Sequence, residues 1–208
     1  MKTFTLACVA LLALSAASAQ TPLPDLKVEA IDAGSAFRIR NAAAQPLTAF
    51  LIELVDYPGS YYALYQDESA SVLLAPGAET RMPITNMLVG AAPEYVKMQA
   101  AIYQDGSTAG APAKVAQLVG RRRHVLATTR ELIARLQNNQ TAAGLRQWAA
   151  SIPDPTPANR TSQAAANDAA AKSLIRDTAA QIERDSVAAA LAALKKSEAA
   201  LSSSKPAL

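Results

Sequence analysis

The stretch AIYQDGSTAGAPAKVAQLVGRRRHVL, residues 101–126, is where the chain changes its period. Its first residues alternate apolar with polar, as a half-buried strand does, whereas its second half spaces apolar residues as a helix does. Gly106 and Gly110 between them supply the turn, and Pro112 suits the first turn of a helix, where its missing N–H costs nothing. The same stretch closes on Arg121, Arg122, Arg123 and His124, the last being the only histidine. Three readings compete for it: a basic binding site, a catalytic loop, or the hinge between two structural halves.

Upstream, residues 25–110 carry the short period of strands. LKVEAI (26–31) and AFRIRN (36–41) alternate cleanly, and PLTAFLIELVD (46–56) is apolar on both faces near its middle. SVLLAPGAETRMPI (71–84) reads as strand, turn, strand about Pro76 and Gly77. YVKMQAAIYQD (95–105) closes the set, with Val96, Met98, Ala100 and Ile102 expected on one face. These short strands predict an antiparallel β-sandwich. Asn41 ahead of PLTAFLIELVD, then LAPGAETRMPI, then VKMQAAIYQDGS resemble the immunoglobulin-like (Ig-like) or fibronectin-III-like domains of exported bacterial proteins. That resemblance covers residues 25–108 and implies a binding or spacer module with no active site. The cysteine pair and core tryptophan of antibody domains are absent, since Trp148 lies outside the region.

Downstream the pattern is helical, so the predicted class is α+β, an Ig-like sandwich followed by C-terminal helices. Residues 111–150 form an amphipathic helix over 113–137 and a short one anchored by Trp148. The prolines of SIPDPTPANRT (151–161) make a linker, because they remove donors and force extended geometry. An alanine-rich helix follows over 162–202, and 203–208 is a disordered tail. Within that helix, Leu174, Ile175 and Ile182 share one side, while Val187, Leu191, Leu194 and Leu201 lie almost opposite. Either it breaks near Asp185 and Ser186, or its halves contact different surfaces, one of them on a second chain.

Helical geometry sorts the arginines. At about 100° per residue from Leu118, Arg122 falls near 40°, inside the apolar stripe, while Arg121 and Arg123 diverge to its margins. His124 is expected on the opposite, solvated face. A buried guanidinium needs a carboxylate or several carbonyls, and Asp105, Asp67 and Glu68 are the candidate carboxylates. Charge agrees: residues 20–110 hold five Lys/Arg against ten Asp/Glu, and residues 111–208 hold fourteen against seven. Arg122 therefore reads as a structural ion pair docking helix to sandwich. Arg121 and Arg123 are the candidate anion-binding residues, and Tyr61, Tyr62 and Tyr65 form a second candidate recognition surface, because tyrosines offer large contact at low entropic cost.

Common catalytic chemistry has little to work with. His124 has no nucleophile signal beside it, and no zinc or thiol motif occurs. The only cysteine, Cys8, lies in an apolar N-terminal run that ends on Ala17-Ser18-Ala19, which reads as a signal peptide (1–19) cut after Ala19. The expectation is a periplasmic or secreted, non-enzymatic interaction or structural module of a bacterial envelope or the extracellular space, with no cofactor, metal or nucleic acid. Its partner would be a protein, or a second copy paired through the C-terminal helix. The alternative is an anionic-ligand or membrane-surface binding module using the basic helical half.

Overall fold

The computed structural model describes residues 21–32, 34–56, 61–67, 73–84 and 93–207; the signal segment, its cut at Ala19, and Glu68 lie outside them. Among the described residues, seven antiparallel strands in two sheets precede four helices, an α+β arrangement. The strands are β1 (Asp25–Ile31), β2 (Gly34–Arg40), β3 (Leu47–Leu54), β4 (Ala63–Asp67), β5 (Glu79–Ile84), β6 (Val96–Tyr103) and β7 (Thr108–Gly110). One sheet runs β1-β2-β5 and the other β4-β3-β6-β7. The helices are α1 (Pro112–Gln137), α2 (Ala142–Ser151), α3 (Gln163–Arg184) and α4 (Val187–Ser202).

All eight residues of β3 are buried, and the layering explains why. Phe50 and Ile52 face the β1-β2-β5 sheet, where they join Phe37, Ile39, Ala101 and Tyr103 in one apolar cluster. Ala49 and Leu51 point the other way and pack with Ala100, Ile102 and Leu118 under α1. The middle sheet is thus covered on both faces, which a strand can satisfy only by giving up polar alternation. Gly110 lets α1 start close to β6: its φ is +102°, and a Cβ there would lie 2.1 Å from the carbonyl oxygen of Gln99.

Two irregularities re-aim side chains. In β6, Leu51 pairs with Ala100 but Ile52 with Met98, so Gln99 is an extra residue. Val96 and Met98 consequently join the inter-sheet cluster, while Ala100 and Ile102 face α1. The single face expected for these four residues is split, because one inserted residue reverses the alternation. In β3, Thr48 is bulged in the same way between Leu47 and Ala49.

The helices form a second core, built from Leu132, Ile133 and Leu136 of α1, Leu145 and Ala149 of α2, Ile175 and Ala179 of α3, and Ala190 and Leu194 of α4. The 162–202 segment is two helices. Asp185 leaves helical geometry at φ −116°, ψ −85°, and Ser186 starts the next helix by accepting a hydrogen bond from the Ala189 N–H. Leu174, Ile175 and Ile182 of one face and Leu191 and Leu194 of the other are turned onto the same core, while Val187 stays exposed, and both α3 and α4 pack on α1. The linker is pinned as well: the Lys172 ammonium meets the Ile152 carbonyl at 3.3 Å and the Asp154 carboxylate at 2.5 Å. Residues 203–207, expected to fray, instead return to the sheets, where Lys205 lies against Gly106 and offers its carbonyl to Arg122.

Candidate functional site

A groove of about 560 Å³ lies where β4, α1, α3 and α4 meet. Its sheet wall follows from strand alternation, which sets Tyr65 and Asp67 on the same face of β4. Its helical wall carries Arg121, Arg122, Val125 and Thr129, which fall on neighbouring flanks of α1. The floor and far wall come from Ala170, Leu174 and Asp177 of α3 and Ser197 and Leu201 of α4.

Arg122 is 1% exposed and has three acceptors. Nε donates to Oδ2 of Asp67 at 2.7 Å, Nη2 to Oγ1 of Thr48 at 3.1 Å, and Nη1 to the Lys205 carbonyl at 2.9 Å. The Thr48 hydroxyl itself donates to the Ile102 carbonyl at 3.0 Å, so the bulge in β3 presents an oriented oxygen to the guanidinium. One side chain therefore joins β3, β4 and the C-terminal tail. The contact is not a bidentate fork, because the acceptors are three separate groups.

The other candidate carboxylates lie elsewhere. Asp105 is engaged within its own turn, where Oδ1 accepts from the Ser107 N–H at 2.9 Å and hydroxyl at 2.7 Å. Those bonds hold its carboxyl below the usual range. A second crossing between the acidic and basic halves was not anticipated: Lys114, on the first turns of α1, meets the buried Glu53 of β3 at 2.6 Å.

Arg121 and Arg123 are held apart. Arg121 stacks on Tyr65, its guanidinium carbon 4.6 Å from the ring centroid, and Nη1 donates to the Ala166 carbonyl at 2.9 Å. Burial pulls its pKa down, opposed by Tyr65 and Asp67. Arg123 is exposed beside a separate hollow lined by Thr108, Pro112 and Val119. The tyrosines also part company. Tyr62 packs edge-on to Phe37 at 6.3 Å in the inter-sheet cluster, while Tyr65 packs under α1. Burial raises the phenol of Tyr65, with Glu53 adding to it and Arg121 opposing it. The Tyr61 phenol is pushed up to about 12 by burial, then by Tyr65 and Glu53.

His124 departs from expectation: it is half-buried, and Nε2 is enclosed with no hydrogen-bond partner among the described residues. A single buried stripe was the wrong premise, since α1 is packed by the sheet, by α3 and by α4. Among the described residues no three His, Cys, Asp or Glu gather as a metal site, and no helix is long and apolar enough to cross a membrane. No family model, no curated protein and no solved structure matches the chain.

Proposed function

We propose that this protein is an exported, non-enzymatic interaction or structural module of a bacterial envelope or the extracellular space. In this reading an Ig-like sandwich is locked to a helical unit. Strand order supports the Ig-like part. Labelled in chain order A, B, C, C′, E, F and G, the sheets read A-B-E and C′-C-F-G, the arrangement in which C′ extends the G-F-C sheet. The apolar segment 4–14 and the small residues before Gln20 support export.

The observation that carries the reading is the commitment of Arg122. The centre of the basic cluster has each of its three nitrogens donating to the sheets or the tail, and this suits a device that holds two units at a fixed angle. A rigid two-unit body offers partners a constant surface, and Val187, 42% exposed, is a large apolar side chain on it. The test is to express the full chain in bacterial cells with a photo-crosslinking residue at Val187 or at Tyr61. A chain beginning at Gln20 in the exported fraction and a discrete adduct from either position are expected. Retention of residues 1–19 on a cytoplasmic product, or no adduct from either position, would overturn the reading.

A further inference from the structure

We propose that the groove between β4, α1 and the α3/α4 pair binds a carboxylate carried on an apolar body, with Arg121 as its anchor. The starting point is a contrast between neighbours. Arg122 satisfies its guanidinium with three protein acceptors. The one hydrogen bond of Arg121 among the described residues is from Nη1 to the Ala166 carbonyl. A guanidinium presents five N–H donors in a planar fork, so most of this one is left for an acceptor from outside. It lines the groove, is largely desolvated by its surroundings, and is held over the Tyr65 ring, its guanidinium carbon 4.6 Å from the centroid. A fork fixed in orientation before its ligand arrives loses little freedom on binding.

Charge selects the kind of anion. Among the described residues at this end of the groove, the two guanidinium groups of Arg121 and Arg122 stand against the carboxylate of Asp67, an excess of one positive charge. A carboxylate monoanion balances that excess and accepts the fork through two parallel bonds. A phosphate dianion overshoots it and meets Asp67 as well. Beyond the anchor the Tyr65 ring, Val125, Leu174 and Leu201 stand among the smaller polar side chains of Thr129, Ser173 and Ser197, and those four large side chains are the surface an apolar body would meet. Asp177, bonded by the Ser173 hydroxyl at 3.3 Å, lies at the far side and disfavours a second negative charge there. The volume, about 560 Å³, falls within the few hundred to about 1,000 Å³ usual for small-molecule sites.

The same chemistry occurs in a free organic acid and in the C-terminus of a peptide that ends in an apolar residue. This goes beyond the scaffold role: Arg122 can lock the fold whether or not Arg121 takes a ligand, and crosslinking at Val187 reports on neither. The test titrates the full chain, by calorimetry and by NMR, with phenylbutyrate, with an acetylated tetrapeptide ending in phenylalanine, and with the amide of each. Saturable binding of a carboxylate form but not its amide is expected, and the arm that binds identifies the source. Arg121→Gln should lower affinity about tenfold or more, while Arg123→Gln leaves it unchanged. Ser197→Trp, which fills the groove away from Arg121, should lower affinity at an unchanged melting temperature. The proposal is overturned if the folded wild-type chain binds neither carboxylate at millimolar concentration. It is equally overturned if Arg123→Gln weakens binding as much as Arg121→Gln, or if Ser197→Trp binds as tightly as wild type.

Discussion

Replacing Arg122 by methionine keeps most of the side-chain volume and removes the charge, so it isolates the electrostatic part of the docking contact. Three acceptors lose their donor, but not at equal cost. The Thr48 hydroxyl keeps its own bond to the Ile102 carbonyl, and the Lys205 carbonyl sits on a tail that can turn to water. The penalty concentrates on Asp67, whose carboxylate is only 17% exposed and loses the guanidinium that faces it. Breaking such a pair from one side costs about 3–5 kcal/mol. For a chain of this size that corresponds to a fall in melting temperature of roughly 6–20 °C. Urea denaturation followed by circular dichroism gives the free energy, and an unchanged slope shows that the same surface still unfolds. Adding Asp67→Asn to Arg122→Met should recover more than half of the loss, since the buried charge is then gone. The exposed Arg123→Met should stay within about 0.5 kcal/mol of wild type. A loss below about 1 kcal/mol for Arg122→Met, or a coupling energy with Asp67 below about 0.5 kcal/mol, refutes the docking argument.

Gly110→Ala should prevent stable folding or cost more than about 3 kcal/mol, from a positive φ and a Cβ placed 2.1 Å from the Gln99 carbonyl; a melting curve within a few degrees of wild type would show that β6 and β7 tolerate separation. Tyr103 donates its hydroxyl to the Pro22 carbonyl at 2.5 Å, and burial pushes its phenol up to about 12. Because the folded value lies above the ordinary value near 10, the contribution of the neutral phenol is complete below about pH 10. It is lost as pH rises through about 12. Tyr103→Phe should therefore cost about 0.5–1.5 kcal/mol at neutral pH and flatten the decline in stability across that alkaline window. An unaltered decline would place it on Tyr61, whose phenol is also raised to about 12. In a thermal melt, Ser186→Ala should lose about 1 kcal/mol with the cap of α4; no change would mean that packing alone sets the break.

The order of strands before helices was legible because hydrophobic period changes once, between Gly106 and Pro112, and both residues mark the change. The burial of Arg122 was legible for a related reason: a helix fixes angles between its own residues whatever it packs on. What the wheel lacks is the number of neighbours, and the half-buried His124 follows from a helix packed by three partners where one was assumed. The bulges at Thr48 and Gln99 carry no glycine or proline, so nothing in the local sequence marks them. Yet the first supplies a hydroxyl to Arg122, and the second decides which β6 residues face α1. The groove was still less visible. Its walls come from four elements, and its α3 and α4 residues face α1 only after the chain reverses at Asp185 and Ser186. Leu174 and Leu201 fall on opposite sides of one straight helix, and Ala170, Ser173 and Ser197 carry almost no periodic signal of their own.

The charge asymmetry between the halves has two distinct parts in the folded chain. Among the described residues, two contacts carry the attraction directly, Arg122 to Asp67 and Lys114 to Glu53, and in both a buried member faces a partner across the junction. Other arginines of the C-terminal half pair within that half: Arg130 with Glu198, Arg135 with Glu131, and Arg146 with Glu183. Those pairs are exposed, and exposed pairs contribute little to stability. The positive excess left on the helices, with Arg123 and Lys196 among its exposed members, therefore does not hold the halves together. It sets a field around the helical half that reaches about a Debye length, near 10 Å at about 0.1 M ionic strength. Arg121 lies within the helical half but inside the groove, where it feels that field and is shielded from bulk water. In the proposed reading, docking and anion attraction are separated onto adjacent residues of one helix, Arg122 with three protein acceptors and Arg121 with one.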